Sequence, residues 1–126
     1  MLSLSMSDQK PICKVSPDGT KQWRLDGKLH RVDGPACEDT DGDKYWYLNG
    51  KRHRVDGPAV EWANGDKQWY LNGKCHRVGG PAAEYADGNK HWYLNGRICK
   101  PIEVFKAATH EQRIHLLCFY ASEFLP

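Results

Sequence analysis

The stretch WYLNGKRHRVDGPAVEWANGDK, Trp46–Lys67, decides the fold because the chain writes it again from Trp69 and, less faithfully, from Trp23. Tryptophans stand at Trp23, Trp46, Trp69 and Trp92, each 23 residues after the last. Gly19, Gly42, Gly65 and Gly88 keep that step, as do Gly27, Gly50, Gly73 and Gly96 and the Gly-Pro pairs at 34–35, 57–58 and 80–81. A fixed period of this size is the signature of a repeat architecture, in which one unit is too small to bury its apolar face alone. Three full units are visible. Partial units flank them and read as caps: ICKVSPDG leads in and WYLNGRICKP leads out.

Each unit carries two hairpin signals. One set is Asp18-Gly19, Asp41-Gly42, Asn64-Gly65 and Asp87-Gly88; the other is Asp26-Gly27, Asn49-Gly50, Asn72-Gly73 and Asn95-Gly96. Both predict two-residue type I′ turns, whose central residues need positive φ. A third signal, Asp33-Gly34-Pro35 and Asp56-Gly57-Pro58, places proline at a strand start, where its missing N–H does least harm. The segments between have strand length. In KYWYL, Lys44–Leu48, alternation puts Trp46 and Leu48 on one face and Tyr45 and Tyr47 on the other. A two-residue loop at Asp41-Gly42 sets Cys37 opposite Trp46, and by the same count Val60 faces Trp69 and Ala83 faces Trp92. Stacked Trp and Leu residues then form the expected core row; Trp62 either fills in beside Val60 and Trp69 or stands exposed as a contact residue.

After Pro101 the turn signals stop. Residues 109–125 read as a helix, opened by Thr109 with Gln112 three positions on. Ile114, Leu117, Cys118, Ala121, Phe124 and Leu125 fall on its apolar stripe. Pro101 also starts a short helix through IEVFKAA. The expected organisation is a loose N-terminus over 1–10, a β-hairpin repeat domain over 11–100 and a helical cap over 101–126. The fold class is mainly β: a repetitive antiparallel hairpin meander with a C-terminal α-helical segment. The cap covers the sheet's end, or carries a homodimer or partner contact.

Composition bounds the function. The net charge is +2, and Lys and Arg alternate with Asp and Glu inside each unit, which argues against nucleic acid. No segment reaches membrane-span length, and MLSLSMSDQK lacks the basic and apolar regions of a signal peptide. Five cysteines without a CxxC pair fit neither a disulfide framework nor a zinc site, so cytoplasmic localisation is the expectation. The repeats contain no serine for nucleophilic catalysis, and the carboxylate pair Asp41 and Asp43 belongs to a turn. The expectation is therefore a protein that is not an enzyme and uses no cofactor or metal.

NGKRH before a glycine turn, followed by Asn-Gly or Asp-Gly with Asp-Lys, resembles the MORN repeat, whose unit is also 23 residues long. It is more similar to the divergent WYLNGK-x-HR-x-DGPA repeats of bacterial, bacteriophage and giant-virus proteins, over about residues 12–100. The resemblance implies a meander of β-hairpins with a scaffold or partner-binding role. Its viral members imply a small accessory protein in the host cytoplasm, such as an inhibitor of a host enzyme or defence complex. The Tyr-x-Gly element of standard units is replaced by Tyr70-Leu71-Asn72-Gly73, which removes the basis for a lipid-binding reading.

Two residue sets are candidates for binding. His30, Arg31, His53, Arg54, His76 and Arg77 recur in every full unit, with Glu38, Glu61 and Glu84 beside them. Such a row fits phosphate chemistry and hence a nucleotide-like small molecule. Repetition in every unit equally fits Arg–Glu pairing and His–turn bonds that fold the unit. The second set is where otherwise fixed copies vary: Asp39, Trp62 and Tyr85; Arg24, Tyr47, Tyr70 and Tyr93; Gln22, Tyr45, Gln68 and His91. Of these, Tyr47, Tyr70, Tyr93, Trp62, Tyr85 and Arg24 form the expected contact surface for another protein, since exposed Tyr and Trp near Arg suit a binding hot spot.

Overall fold

The two sets of Gly turns differ in geometry, and that difference fixes the register of the whole sheet. A computed structural model of the chain describes residues 10–125, so the expected loose N-terminus lies almost entirely outside the described residues. Asp26, Asn49, Asn72 and Asn95 have φ of 50–52°, and the glycine after each is also positive, as a two-residue type I′ turn requires. In the other set only the glycine is positive, at 94–100°. There Gly42 N–H donates to the Asp39 carbonyl at 3.1 Å and Asp39 N–H to Asp43 at 2.9 Å, closing a three-residue loop with glycine in the bulge position.

That extra loop residue corrects the expected pairing. Cys37 lies opposite Tyr45 rather than Trp46, Val60 opposite Gln68 rather than Trp69, and Ala83 opposite His91 rather than Trp92. A one-residue slip reverses the face of every side chain. The tryptophans therefore do not share a face with Cys37, Val60 and Ala83, and Trp62 does not pack beside Trp69 in a common row.

The strands run β1 (Ile12–Val15), β2 (Lys21–Leu25), β3 (Lys28–Leu29), β4 (Cys37–Glu38), β5 (Lys44–Tyr45), β6 (Tyr47–Leu48) and β7 (Lys51–Arg52). They continue as β8 (Val60–Glu61), β9 (Lys67–Gln68), β10 (Tyr70–Leu71), β11 (Lys74–Cys75), β12 (Ala83–Glu84), β13 (Lys90–Leu94) and β14 (Arg97–Cys99). Ten strands form one antiparallel sheet in the order β1-β2-β4-β5-β8-β9-β12-β13-β14, with β3 alongside β2. β6–β7 and β10–β11 are two-stranded ladders beside it. Successive outer hairpins are tied together, for example by Gly50 N–H to the Leu29 carbonyl at 2.9 Å and Gly73 N–H to the Arg52 carbonyl at 2.8 Å.

Two helices follow, α1 (Pro101–Ala107) and α2 (His110–Phe119), then a 3-10 turn over Ala121–Glu123. Proline opens α1, and Thr109 and Gln112 form the expected reciprocal cap of α2. The buried face of α2 differs from the expected stripe. Leu116 is completely buried, while Ile114, Leu117 and Cys118 are exposed. The physical reason is the break at Tyr120, whose φ of −132° ends the helix and turns Tyr120 and Phe124 back onto the sheet. Leu116, Trp92, Val104 and Ala108 form the buried cluster, with Val78, Leu94, Phe105, Tyr120 and Phe124 packed around it. No helix among the described residues is long and apolar enough to cross a membrane.

Candidate binding faces

The sheet has two chemically distinct faces. On the first, each of three tryptophans lies beneath an arginine of its own unit. The guanidinium carbons of Arg31, Arg54 and Arg77 sit 3.9, 3.9 and 3.8 Å from the ring centres of Trp23, Trp46 and Trp69. A cation over an indole face is attracted by the ring quadrupole, more strongly as water is excluded. Each arginine is also held from the side. Arg54 donates to Asp56 at 3.1 Å, to the Pro58 carbonyl at 3.0 Å and to Glu61 at 3.3 Å. Arg31 repeats the bonds to Asp33 and Pro35, and Arg77 those to Pro81 and Glu84. The Gly-Pro signal gains a second reason here: a Cβ at Gly57 would lie 2.8 Å from the Arg54 guanidinium carbon.

The histidines join units rather than reaching outward. His30 Nδ1 accepts the Asn49 N–H at 3.0 Å, His53 that of Asn72 at 2.9 Å, and His76 that of Asn95 at 2.9 Å. Each bond needs an unprotonated Nδ1 and stitches one unit to the type I′ turn of the next. Burial depresses the His76 pKa below its ordinary 6.5. At the opposite turns, Asp43 accepts from Ala63 N–H at 2.8 Å and Asp66 from Ala86 N–H at 2.7 Å. The recurring His and Arg groups are thus engaged by the chain's own atoms, and exposed Asp33 and Asp56 stand beside the arginines. That arrangement gives a phosphate little unopposed positive charge.

The second face gathers the variable positions. Cross-strand pairing sets Gln22, Cys37, Tyr45, Val60, Gln68, Ala83 and His91 in one row. Tyr70 hydroxyl donates to Gln68 Oε1 at 2.9 Å, and Gln68 Nε2 lies 3.4 Å from the Tyr85 hydroxyl. Tyr85 meets His91 edge-on with ring centres 5.6 Å apart. Tyr93 lies two residues beyond His91 in β13 and so shares its face. Trp62 stands two residues beyond buried Val60. The tyrosines and Trp62 are half-buried, and His91 is exposed. Burial, then Asp43, raises the Tyr45 pKa, and burial raises that of Tyr93.

Arg24 is the outlying member of the set. It is exposed and donates to Gln22 and to the Gly27 carbonyl at the far end of the row. Arg52 belongs to the face although sequence reasoning did not select it: its Nε lies 3.4 Å from the Tyr47 hydroxyl, and its guanidinium stands 5.4 Å from the Tyr70 ring centre. The signal was available, since Arg52 occupies a position held by Leu29, Cys75 and Ile98 in the other copies. Three thiols are shifted away from activation, Cys99 by burial among them. Burial pushes Cys75 up to about 11, and burial followed by Asp39 raises Cys37. No protein-family model, characterised protein or solved structure matches the chain.

Proposed function

We propose that this chain is a non-enzymatic binding module that contacts another protein through the face built from Tyr47, Tyr70, Tyr85, Tyr93, Trp62 and Arg52. The observation that carries this reading is the convergence of all the variable aromatic positions on one side of an otherwise repetitive sheet. The scaffold leaves these rings half-buried, and rigid Tyr and Trp side chains lose little entropy on binding. The likeness to MORN-like repeats of phage and viral proteins supports a concrete form: an inhibitor that occupies a host enzyme or defence complex. A nucleotide-like ligand at the His–Arg row is the alternative. The bonds those groups already make within the chain weigh against it.

The test is native mass spectrometry of the protein isolated from the cells that make it, beside the Tyr47→Ala/Tyr70→Ala double variant. A bound polypeptide retained by the wild type and lost by the folded variant is the expected result. Retention of that polypeptide by the variant removes this face. A bound small molecule lost on Arg54→Ala, with the fold intact, replaces the reading by the nucleotide one.

A further inference from the structure

The arginine–tryptophan face carries open grooves between successive units. In one, Arg31, Val32 and Asp33 face Trp46, Leu48 and Val55 across a concavity of about 630 Å³. One unit on, Val55 and Asp56 face Trp69, Leu71 and Val78 across about 570 Å³, with Gln112 of α2 in the wall. At the third step the equivalent place is filled by the chain itself. Val78, with Tyr120 and Phe124, packs against the buried cluster of Trp92, Val104, Ala108 and Leu116, whereas Val32 and Val55 are 81% and 83% exposed.

The sequence changes where the groove closes. Asp33 and Asp56 give way to Gly79, and the Tyr120 hydroxyl bonds Glu84 at 2.8 Å and approaches Arg77 at 3.5 Å. The covered groove has lost its acid, and both open grooves keep theirs. The Asp33 and Asp56 side chains are 87% exposed although each bonds an arginine, so they present negative charge at the rims.

We propose that the open grooves at Val32 and Val55 bind an amphipathic helix of a partner protein, with large apolar residues seven positions apart and a basic residue beside each. Continuity supplies the first argument. The chain's own α2 and the turn after it already occupy the next seat, so a second helix extends an existing helix-on-sheet interface. Charge supplies the second, because lysine or arginine on the partner meets Asp33 and Asp56. Spacing supplies the third. Successive grooves are two strands apart, about 9.6 Å at the usual strand separation. A helix advances about 10.5 Å in seven residues and returns to nearly the same face. An extended peptide covers that distance in about three residues, which turns successive anchors to opposite sides. This is helix-in-groove recognition read with a repeat ruler.

The surface is separate from the tyrosine face, and its test distinguishes the two. The probes are synthetic alanine-rich helical peptides of about 18 residues, long enough to span both grooves. One carries Leu at i and i+7 with Lys beside each. The second moves the Leu spacing to i+5, and the third replaces Lys by Glu. Titration against the full chain is read by calorimetry and by the indole N–H resonances of Trp46 and Trp69. The heptad peptide is expected to shift both indoles and to bind at least about tenfold more tightly than either control. Val32→Ser/Val55→Ser should weaken it by about tenfold with an unchanged melting temperature, because both valines are already in solvent. Tyr47→Ala/Tyr70→Ala should leave it unchanged, so failure of the tyrosine-face reading does not decide this one. Absence of binding, equal affinity for the two spacings, or undiminished binding by the valine variant each overturns the proposal.

Discussion

Trp46 and Trp92 occupy the same place in the same repeated sentence, yet they are covered in different ways. Above Trp46 lies Arg54, eight positions on, fixed by Asp56, Glu61 and the Pro58 carbonyl. The corresponding position after Trp92 is Lys100, where the chain enters α1. Trp92 is instead 4% exposed beneath Leu116 and Val104, with Tyr120 and Phe124 edge-on at 5.8 and 6.0 Å. Interior units therefore carry their own lid, local in sequence and partly polar. The last unit borrows a lid from the tail, apolar and distant in sequence. Its indole N–H is buried without a partner, so that lid is good for packing and poor for hydrogen bonding.

The largest expected effect comes from breaking the borrowed lid. Leu116→Ala removes a completely buried side chain from the apolar cluster that joins tail and sheet. It should destabilise the protein by about 2–5 kcal/mol in urea unfolding. Because Leu116 lies directly in the cluster with Trp92, Trp92 fluorescence should change before that of the interior tryptophans. Simultaneous loss of all the signals would show instead that the sheet and tail unfold as one unit.

A smaller effect is expected from breaking a local lid. Arg54→Lys keeps the charge but loses the planar stack on Trp46 and the fork that joins Pro58 and Glu61. A cost of about 1–2 kcal/mol is expected, discounted for the partial exposure of the guanidinium. Denaturant unfolding checks it, and a neutral outcome would mean that an ammonium covers indole equally well here.

The smallest effect concerns the bonds between units. His76 titrates below 6.5 when folded, so the unfolded chain binds the proton more readily. Its contribution to stability is present above about pH 6.5 and is lost as pH falls toward the depressed folded value. Urea midpoints measured across that window should fall on acidification, and His76→Gln should flatten the fall. An unchanged slope in His76→Gln would assign the effect to other groups.

Local rules reached a good part of this architecture. Asn49-Gly50 and its counterparts read correctly as type I′ turns, because the pair itself supplies both positive φ values. The caps at Pro101 and Thr109 were equally legible. Asp41-Gly42 carried the same signal and made a different turn, since only its glycine takes the left-handed conformation and Asp43 serves the next unit at Ala63. From that single loop residue followed the misplacement of Cys37, Val60 and Trp62. The helical stripe failed for a similar reason: Leu116 is inside and Cys118 outside because the chain turns back at Tyr120. Variation between copies identified most of the tyrosine face, while Arg52 was passed over although its position varies as much.

By itself the sequence determined the 23-residue period, the type I′ turns, the alternation of strand faces and the helical ending. All of these rest on φ preferences, caps and spacing that act over a few residues. Only the tertiary structure decided that Arg54 lies on Trp46 and that His53 accepts an amide from the next unit. It also decided that the tail takes the seat above Trp92 while the Val32 and Val55 grooves stay open. Those outcomes depend on cross-strand register and on which neighbour arrives at a given distance. A repeated sentence has the same local reading in every copy, so only its neighbours can make the copies differ.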